Sequence, residues 1–335
     1  MANMKKTYGV TFKIADVIVK IKSRFPMAPP GDNAQGHEIN SMFLPFVYTG
    51  DRKPHIAIDV EVARNLPDIP PGAKELFHAN HQGEGASWRL FQNSKGFIYR
   101  GSGVTREQIA TINPRFTRIE CTLLARDCTH CPGEATRKVI QENNGMVWFL
   151  FDVAYDFLQI LLLQYLSRGG RAIMPHAAGI RDATGDGFLF AGKSGSGKTT
   201  TAKLWARYTK ATVLNDDRVI IKQRGKRFFI YPSPWSGQFQ NSPWTPLCAA
   251  PLKNIYFIHH APENILTGLS EKEAFTLLWQ VMFPPFWDRG ALEHTLSFCH
   301  RLSRDVACHR LGFINNRAII DFVRTANTQT MNELY

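Results

Sequence analysis

The sequence predicts an α/β protein in two parts, a β-rich region over residues 1–140 and an α/β region over residues 146–326. Three observations carry this. Up to about residue 117, short segments alternate apolar and polar residues and are separated by glycine and proline clusters, the pattern of half-buried strands joined by turns. A long apolar stretch at 146–166 is set off by Asn143, Asn144 and Gly145 on one side and by Gly169 and Gly170 on the other. Beyond it, short apolar runs alternate with stretches of helical periodicity, as in a sheet covered by helices.

In the first part, residues 9–21 (GVTFKIADVIVKI) place Val10, Phe12 and Ile14 on one face, then Val17, Val19 and Ile21. Residues 55–62, 87–91 and 97–100 read as further strands, with turns at 26–31, 67–72 and 83–85. Residues 146–166 predict one long helix. Asp152, Asp156, Gln159 and Gln164 would be costly in lipid, so this helix belongs inside the protein rather than in a membrane. Residues 172–180 then run towards the second core, 188–191 (FLFA) read as a buried strand and 199–208 as a helix. Residues 211–214 predict a second strand, closed by Asn215, Asp216 and Asp217. A hairpin is expected from 218–222 and 227–231, and a strand at 254–259. Ser270 and Glu273 form a capping-box pattern ahead of a helix at 270–282. Helices at 292–302 and 318–326 and a polar tail from 327 complete the chain.

The 335 residues, 44% hydrophobic and 20% charged, suffice for two domains with their own cores and exclude a disordered or low-complexity chain. The formal charge of +12 admits an anionic partner. Because the basic residues are scattered rather than blocked, nucleic acid is disfavoured. No signal peptide is expected, since residues 1–10 hold two lysines and no long apolar core. Six cysteines in so long a chain do not make a disulfide scaffold, so a reduced, cytoplasmic setting is expected. Cys128 and Cys131, with Cys121 nearby, could hold a metal, but a lone C-x-x-C falls short of the usual four zinc ligands.

The chemistry concentrates at Gly192, Lys193, Ser194, Gly195, Ser196, Gly197, Lys198 and Thr199, which complete the pattern G-x-x-x-x-G-K-[ST]. Such a loop, between a strand and a helix, cradles nucleotide phosphates in backbone N–H groups. Lys198 would reach the β- and γ-phosphates of ATP, the Thr199 hydroxyl would ligate Mg²⁺, and Thr200 extends the binding segment into the helix. Phosphoryl transfer also needs a carboxylate for the metal and a base for the acceptor. Asp216 and Asp217, adjacent at a strand end, point in different directions, so one can serve the metal while the other faces a nucleophile. Asp217 is the residue expected beside Thr199 on the metal. His176, upstream of the loop strand, reads equally as a core histidine or as a functional one. Trp235, Ser236 and Gly237 could contact phosphate or acceptor, or form a plain turn, and Lys193 and Arg218 could add charge.

The runs HAAGI, GFLFAGKSGSGKTTTAKLWA and VLNDDRVII resemble the catalytic domain of HPr kinase/phosphorylases, and more closely the wider group of HPr-kinase-related proteins. PSPWSGQ and APLKNIYFIHHAPEN are similar to later segments of that group. The resemblance covers about residues 149–322. It implies a P-loop catalytic domain related to the nucleotide domain of phosphoenolpyruvate carboxykinase, preceded here by a β-rich domain. It also implies that Asp216 and Asp217 divide the roles of base and Mg²⁺ ligand, that His176 assists near the transferred phosphoryl, and that the chain forms homo-oligomers. The E-x-R-G-x-G segment that marks HPr kinase/phosphorylases is absent, residues 228–238 reading FFIYPSPWSGQ instead, so the acceptor does not carry over.

The leading expectation is a Mg²⁺-dependent kinase moving the γ-phosphoryl of ATP to a hydroxyl, on a serine-bearing protein or peptide or on a small molecule. The alternative is a non-catalytic nucleotide-binding regulatory protein. A motor-type or nucleic-acid ATPase is a third reading with the +12 charge as its only support, since the L-S-G-G-Q signature of transporter ATPases is missing and no arginine-finger motif stands out.

Overall fold

The computed structural model describes residues 7–28, 42–80, 87–102, 107–126, 134–170, 172–237 and 249–332. It is a mixed α/β chain with two sheets. By packing it divides into two compact units, Met1–Tyr165 with Phe286–Asp288, and Leu166–Pro285 with Arg289–Tyr335. The sequence reading set the junction at 140–146, whereas residues up to Tyr165 group with the first unit.

The first unit holds an eight-stranded sheet of β1 (Tyr8–Ile14), β2 (Val17–Ser23), β3 (Ile56–Ala63), β4 (Lys74–Asn80), β5 (Ser87–Asn93), β6 (Gly96–Ser102), β7 (Gln108–Ile112) and β8 (Arg118–Leu124). Their order is β1-β2-β3-β8-β7-β6-β5-β4. The expected run at 9–21 is a hairpin, β1 and β2 pairing Ile14 with Val17. Ala15 and Asp16 turn it at φ 46° and 66°, the two positive values a tight two-residue hairpin needs. Phe12, Ile14, Val19, Ile21, Ile56 and Ile58 are almost fully buried, as period-two alternation dictates. β4, β7 and β8 and helix α1 (Glu134–Glu142) are additional to the elements read from sequence.

The single helix expected at 146–166 is instead two, α2 (Leu150–Ala154) and α3 (Asp156–Arg168). Asp152 explains the start at Leu150 rather than at 146, because its carboxylate accepts from the Phe149 backbone N–H at 3.2 Å, and it also accepts from Arg126 at 3.0 Å. Of the polar residues that argue against a membrane span, Gln164 is satisfied inside the protein, donating to Asp288 and accepting from Trp287 Nε1, both at 2.6 Å, while Asp156 is exposed. Among the described residues, no helix is long and apolar enough to cross a membrane.

The second unit is built on β9 (Ala172–Ile173), β10 (Ala177–Arg181), β11 (Gly187–Ala191), β12 (Thr212–Asn215), β13 (Ile220–Arg224), β14 (Arg227–Tyr231), β15 (Ala250–His260), β16 (Ile265–Gly268) and β17 (Ala307–Phe313). β15 is central, parallel to β11 and to β17 and antiparallel to β14 at its start. Helices α4 (Lys198–Tyr208), α5 (Glu271–Gln280), α6 (Arg289–Asp305) and α7 (Ala318–Asn332) complete the unit. Alternation along β11 explains how they cover the sheet. Leu189 and Ala191 join a core with Ala274, Leu278, Phe298 and Leu302 of α5 and α6. Phe188 and Phe190 join another with Ala202, Trp205, Ile319 and Val323 of α4 and α7. A strand covered on both faces reads as an unbroken apolar run, and β11 is buried throughout. Ser270 and Glu273 form the expected reciprocal cap on α5. α7 runs on to Asn332, through most of what reads as a polar tail.

Candidate functional site

β11 ends at Ala191, and the chain turns through Gly192 to Gly197 into α4, whose first residue is Lys198. The turn depends on glycine at two points. A Cβ on Gly192 would lie 2.4 Å from Ser196 Oγ, and one on Gly197, at φ 102°, would lie 2.6 Å from Phe313 Cζ. The first N–H groups of α4 have no partner within the helix, so this end carries partial positive charge. The strand–turn–helix order is the one the motif requires.

A cavity of about 380 Å³ opens here, lined by Ser194, Gly195, Gly197, Lys198, Thr199 and Thr200 of the turn and by His176, Asp216, Asp217, Gly237 and His260. Of the expected binding residues, Gly192, Lys193 and Ser196 are not on its wall: the Ser196 hydroxyl is buried beside Gly192 and Lys193 faces outward. Lys198, only 6% exposed, donates to the Gly192 and Lys193 carbonyls at 2.9 and 3.0 Å. Burial lowers the pKa of its ammonium, opposed by the charges of Asp217 and Asp216.

The aspartates follow β12 directly and diverge. Asp216, 2% exposed, accepts from Thr199 Oγ1 at 2.8 Å and from the Gly237 N–H at 2.7 Å. Asp217 meets His176 Nε2 at 2.8 Å and Arg218 Nε at 3.3 Å. Burial alone would raise the Asp217 pKa, but the hydrogen bond with His176 and the charges of Arg218, His176 and Lys198 prevail and hold it below the ordinary value. It is therefore Asp216, not Asp217, that lies against Thr199, a pairing different from the expected one.

Asn215 causes the divergence. Its Oδ1 accepts from the Asp217 and Arg218 N–H groups, both at 2.7 Å, in an Asx turn. Its Nδ2 donates to the Ser233 and Trp235 carbonyls at 2.9 and 3.2 Å. This anchors the 234–237 loop so that Gly237 reaches Asp216. A Cβ there would lie 3.1 Å from Asp216 Oδ2. His176 is held by its N–H to the Val281 carbonyl at 2.7 Å. The Arg218 guanidinium lies 4.0 Å from the centre of the Phe283 ring, which fixes its direction towards Asp217.

His260 is the cavity residue that the sequence reading missed; the strand was read as ending at His259. Its Nε2 lies 3.2 Å from the Gly195 carbonyl, across 65 residues of chain.

The Thr199 hydroxyl and the Asp216 carboxylate are hard oxygens of the kind Mg²⁺ takes, one or two from protein and the rest from water and phosphate. Among the described residues no group of three or more His, Cys, Asp or Glu side chains is placed to hold a metal ion by itself. Cys121 is buried in β8 with its thiol on Gln108 Oε1 at 3.5 Å, while Cys128 and Cys131 lie outside the described residues. Chemically the cavity offers a cradle for an anion on one wall and two carboxylates, one with an imidazole beside it, on another.

No protein-family model matches the chain, and no curated protein matches it. Among solved structures the chain is similar to the Hpr(Ser) kinase/phosphatase from Coxiella burnetii, with 10% identity and a TM-score of 0.29 over 48% of this chain and 98% of that one. A likeness so distant carries no residue roles, which rest on the geometry above.

Proposed function

We propose that this protein is a Mg²⁺-dependent phosphotransferase that moves the γ-phosphoryl of ATP to a hydroxyl. The observation that carries the reading is the divergence of the paired aspartates, Asp216 towards Thr199 of the turn and Asp217 towards His176. The motif resemblance of the HAAGI, GKSGSGKTT and NDD segments supports it.

In this reading the N–H groups of the turn and the Lys198 ammonium bind the phosphate chain. Lys198 must then exchange its two loop carbonyls for phosphate oxygens. Thr199 and Asp216 would hold Mg²⁺, which, when bound, neutralises charge on the β- and γ-oxygens. Asp217 accepts the proton of the acceptor hydroxyl as its oxygen bonds to the γ-phosphorus and the bond to the β-phosphate oxygen breaks, releasing ADP. Asp217 is held ionised by the hydrogen bond with His176 and the charges around it, so its carboxylate is available to accept that proton. His176 and Arg218 orient the carboxylate. The acceptor is a serine of a protein or peptide, or a small alcohol, and the β-rich unit would serve its recognition or regulation.

The test is transfer from γ-labelled ATP and Mg²⁺ to serine peptides, hydroxy amino acids and polyols, with Asp217→Asn in parallel. A labelled acceptor that disappears in the variant is the expected result. ATP binding without labelled product across proteins, peptides and small alcohols would instead favour a nucleotide-binding regulatory protein.

A further inference from the structure

Resting on the phosphate-transfer reading above, we propose that His260 is a positioning residue of the phosphate loop, tethering the Gly195 carbonyl so that the loop keeps an anion-binding shape. An anion cradle works through N–H groups, whereas an untethered carbonyl swinging towards a phosphate would repel it. Gly195 has no side chain to restrict its backbone, sits at φ 79° and has no atom within 4 Å of where a Cβ would be. Lys198 holds two other loop carbonyls, of Gly192 and Lys193, and must leave them for the phosphates, although the Lys193 carbonyl keeps the Ser196 N–H at 3.1 Å. The Gly195 carbonyl is held by a residue with no such second duty. A carbonyl can only accept, so the Nε2 of His260 carries the proton in this contact.

The fold prepares the tether. β11 and β15 are parallel with Ala191 beside Phe257, so His260 extends past the end of the paired region to the level of the turn. On its other side His260 pairs with Phe313 of β17. The two rings lie 5.5 Å apart at 31°. Phe313 is 1% exposed and also fills the space under Gly197, whose Cβ would meet both Phe313 and His260 Cε1. One buried ring therefore sets the imidazole and closes the slot that keeps position 197 a glycine.

The test compares His260→Ala, His260→Gln and His260→Asn with wild type. ATP affinity in the presence of Mg²⁺ is measured by calorimetry, and amide exchange over residues 193–197 is measured without nucleotide. A glutamine amide nitrogen reaches about as far from the backbone as imidazole Nε2, and an asparagine amide does not. His260→Ala and His260→Asn are expected to weaken ATP binding about 2- to 10-fold, the range for losing one hydrogen bond, and to speed exchange in the loop. His260→Gln should retain both properties. Unchanged exchange and affinity in His260→Ala, or equal losses in the glutamine and asparagine variants, would overturn the proposal alone. A wild-type chain that binds no ATP would overturn the phosphate-loop reading and this proposal with it.

Discussion

Asp216 joins the two segments that enclose the cavity floor: one oxygen takes the Thr199 hydroxyl at 2.8 Å and the other the Gly237 N–H at 2.7 Å. Asp217, its neighbour in sequence, touches neither and turns to His176 and Arg218. Equivalent substitutions at these two positions should therefore fail differently. Asp217→Asn should lower kcat by about 10²- to 10⁴-fold, the usual contribution of a positioned base, with ATP affinity close to wild type. Asp216→Asn should lower transfer too, but should also raise the Mg²⁺ concentration needed for half-maximal ATP binding. Calorimetric titrations at several Mg²⁺ concentrations check this, and identical Mg²⁺ dependence in both variants would refute the division of roles.

Lys198 is held in the fold by two loop carbonyls, so its removal has two separable effects. Lys198→Ala should weaken ATP binding by about 10- to 100-fold, the range for losing a charged hydrogen-bonding partner. Stability should fall far less, because the carbonyls released lie in a surface turn within reach of water. Parallel urea unfolding and ATP titration separate the two.

The loop was legible in sequence because its whole signature is local: a run of apolar residues, glycines at fixed spacing and a helix with no breaker. The divergence of the aspartates was also foreseeable, since adjacent residues at a strand end cannot share a direction. Which aspartate faces Thr199 was not, because that depends on Asn215 gripping Ser233 and Trp235 in the loop that follows β14. His260 stayed hidden for the same reason: its relation to Gly195 exists only through the register of β11, β15 and β17. Short or half-exposed strands carry little period-two contrast. β16, with no buried residue, and β4 gave no clear pattern. The break between α2 and α3 at Tyr155 was concealed because no glycine or proline marks it, and the start of α2 depends on Asp152 reaching back to the Phe149 N–H.

The glycines of the turn differ in what they tolerate. Gly195→Ala meets open space and should destabilise only through its positive φ, by about 1–2 kcal/mol. Gly197→Ala adds to that strain a contact with Phe313 Cζ at 2.6 Å, and overpacking of this kind costs a further ~1–3 kcal/mol. Urea midpoints should therefore fall in the order wild type, Gly195→Ala, Gly197→Ala. Gly197→Ala should cost less in a Phe313→Leu background than in wild type, the double variant being compared with Phe313→Leu alone, and an equal cost would show that the strain lies wholly in the backbone.

Cys299 and Cys308 give a test of the second unit's core that is independent of nucleotide. Both are buried, and that burial pushes each thiol up to about 12. The thiolate is the reactive form, so at pH 8 only about one molecule in 10⁴ carries it at either position. Labelling by iodoacetamide should be slow in the folded protein and should rise about tenfold per pH unit well below the pKa. Unfolding removes the burial that raises the pKa, so labelling in denaturant should be faster by orders of magnitude at the same pH. Peptide mapping after timed alkylation reads each cysteine separately. Rapid labelling of Cys308 in the native state would mean that β17 opens readily, and with it the strand whose Phe313 supports His260 and Gly197.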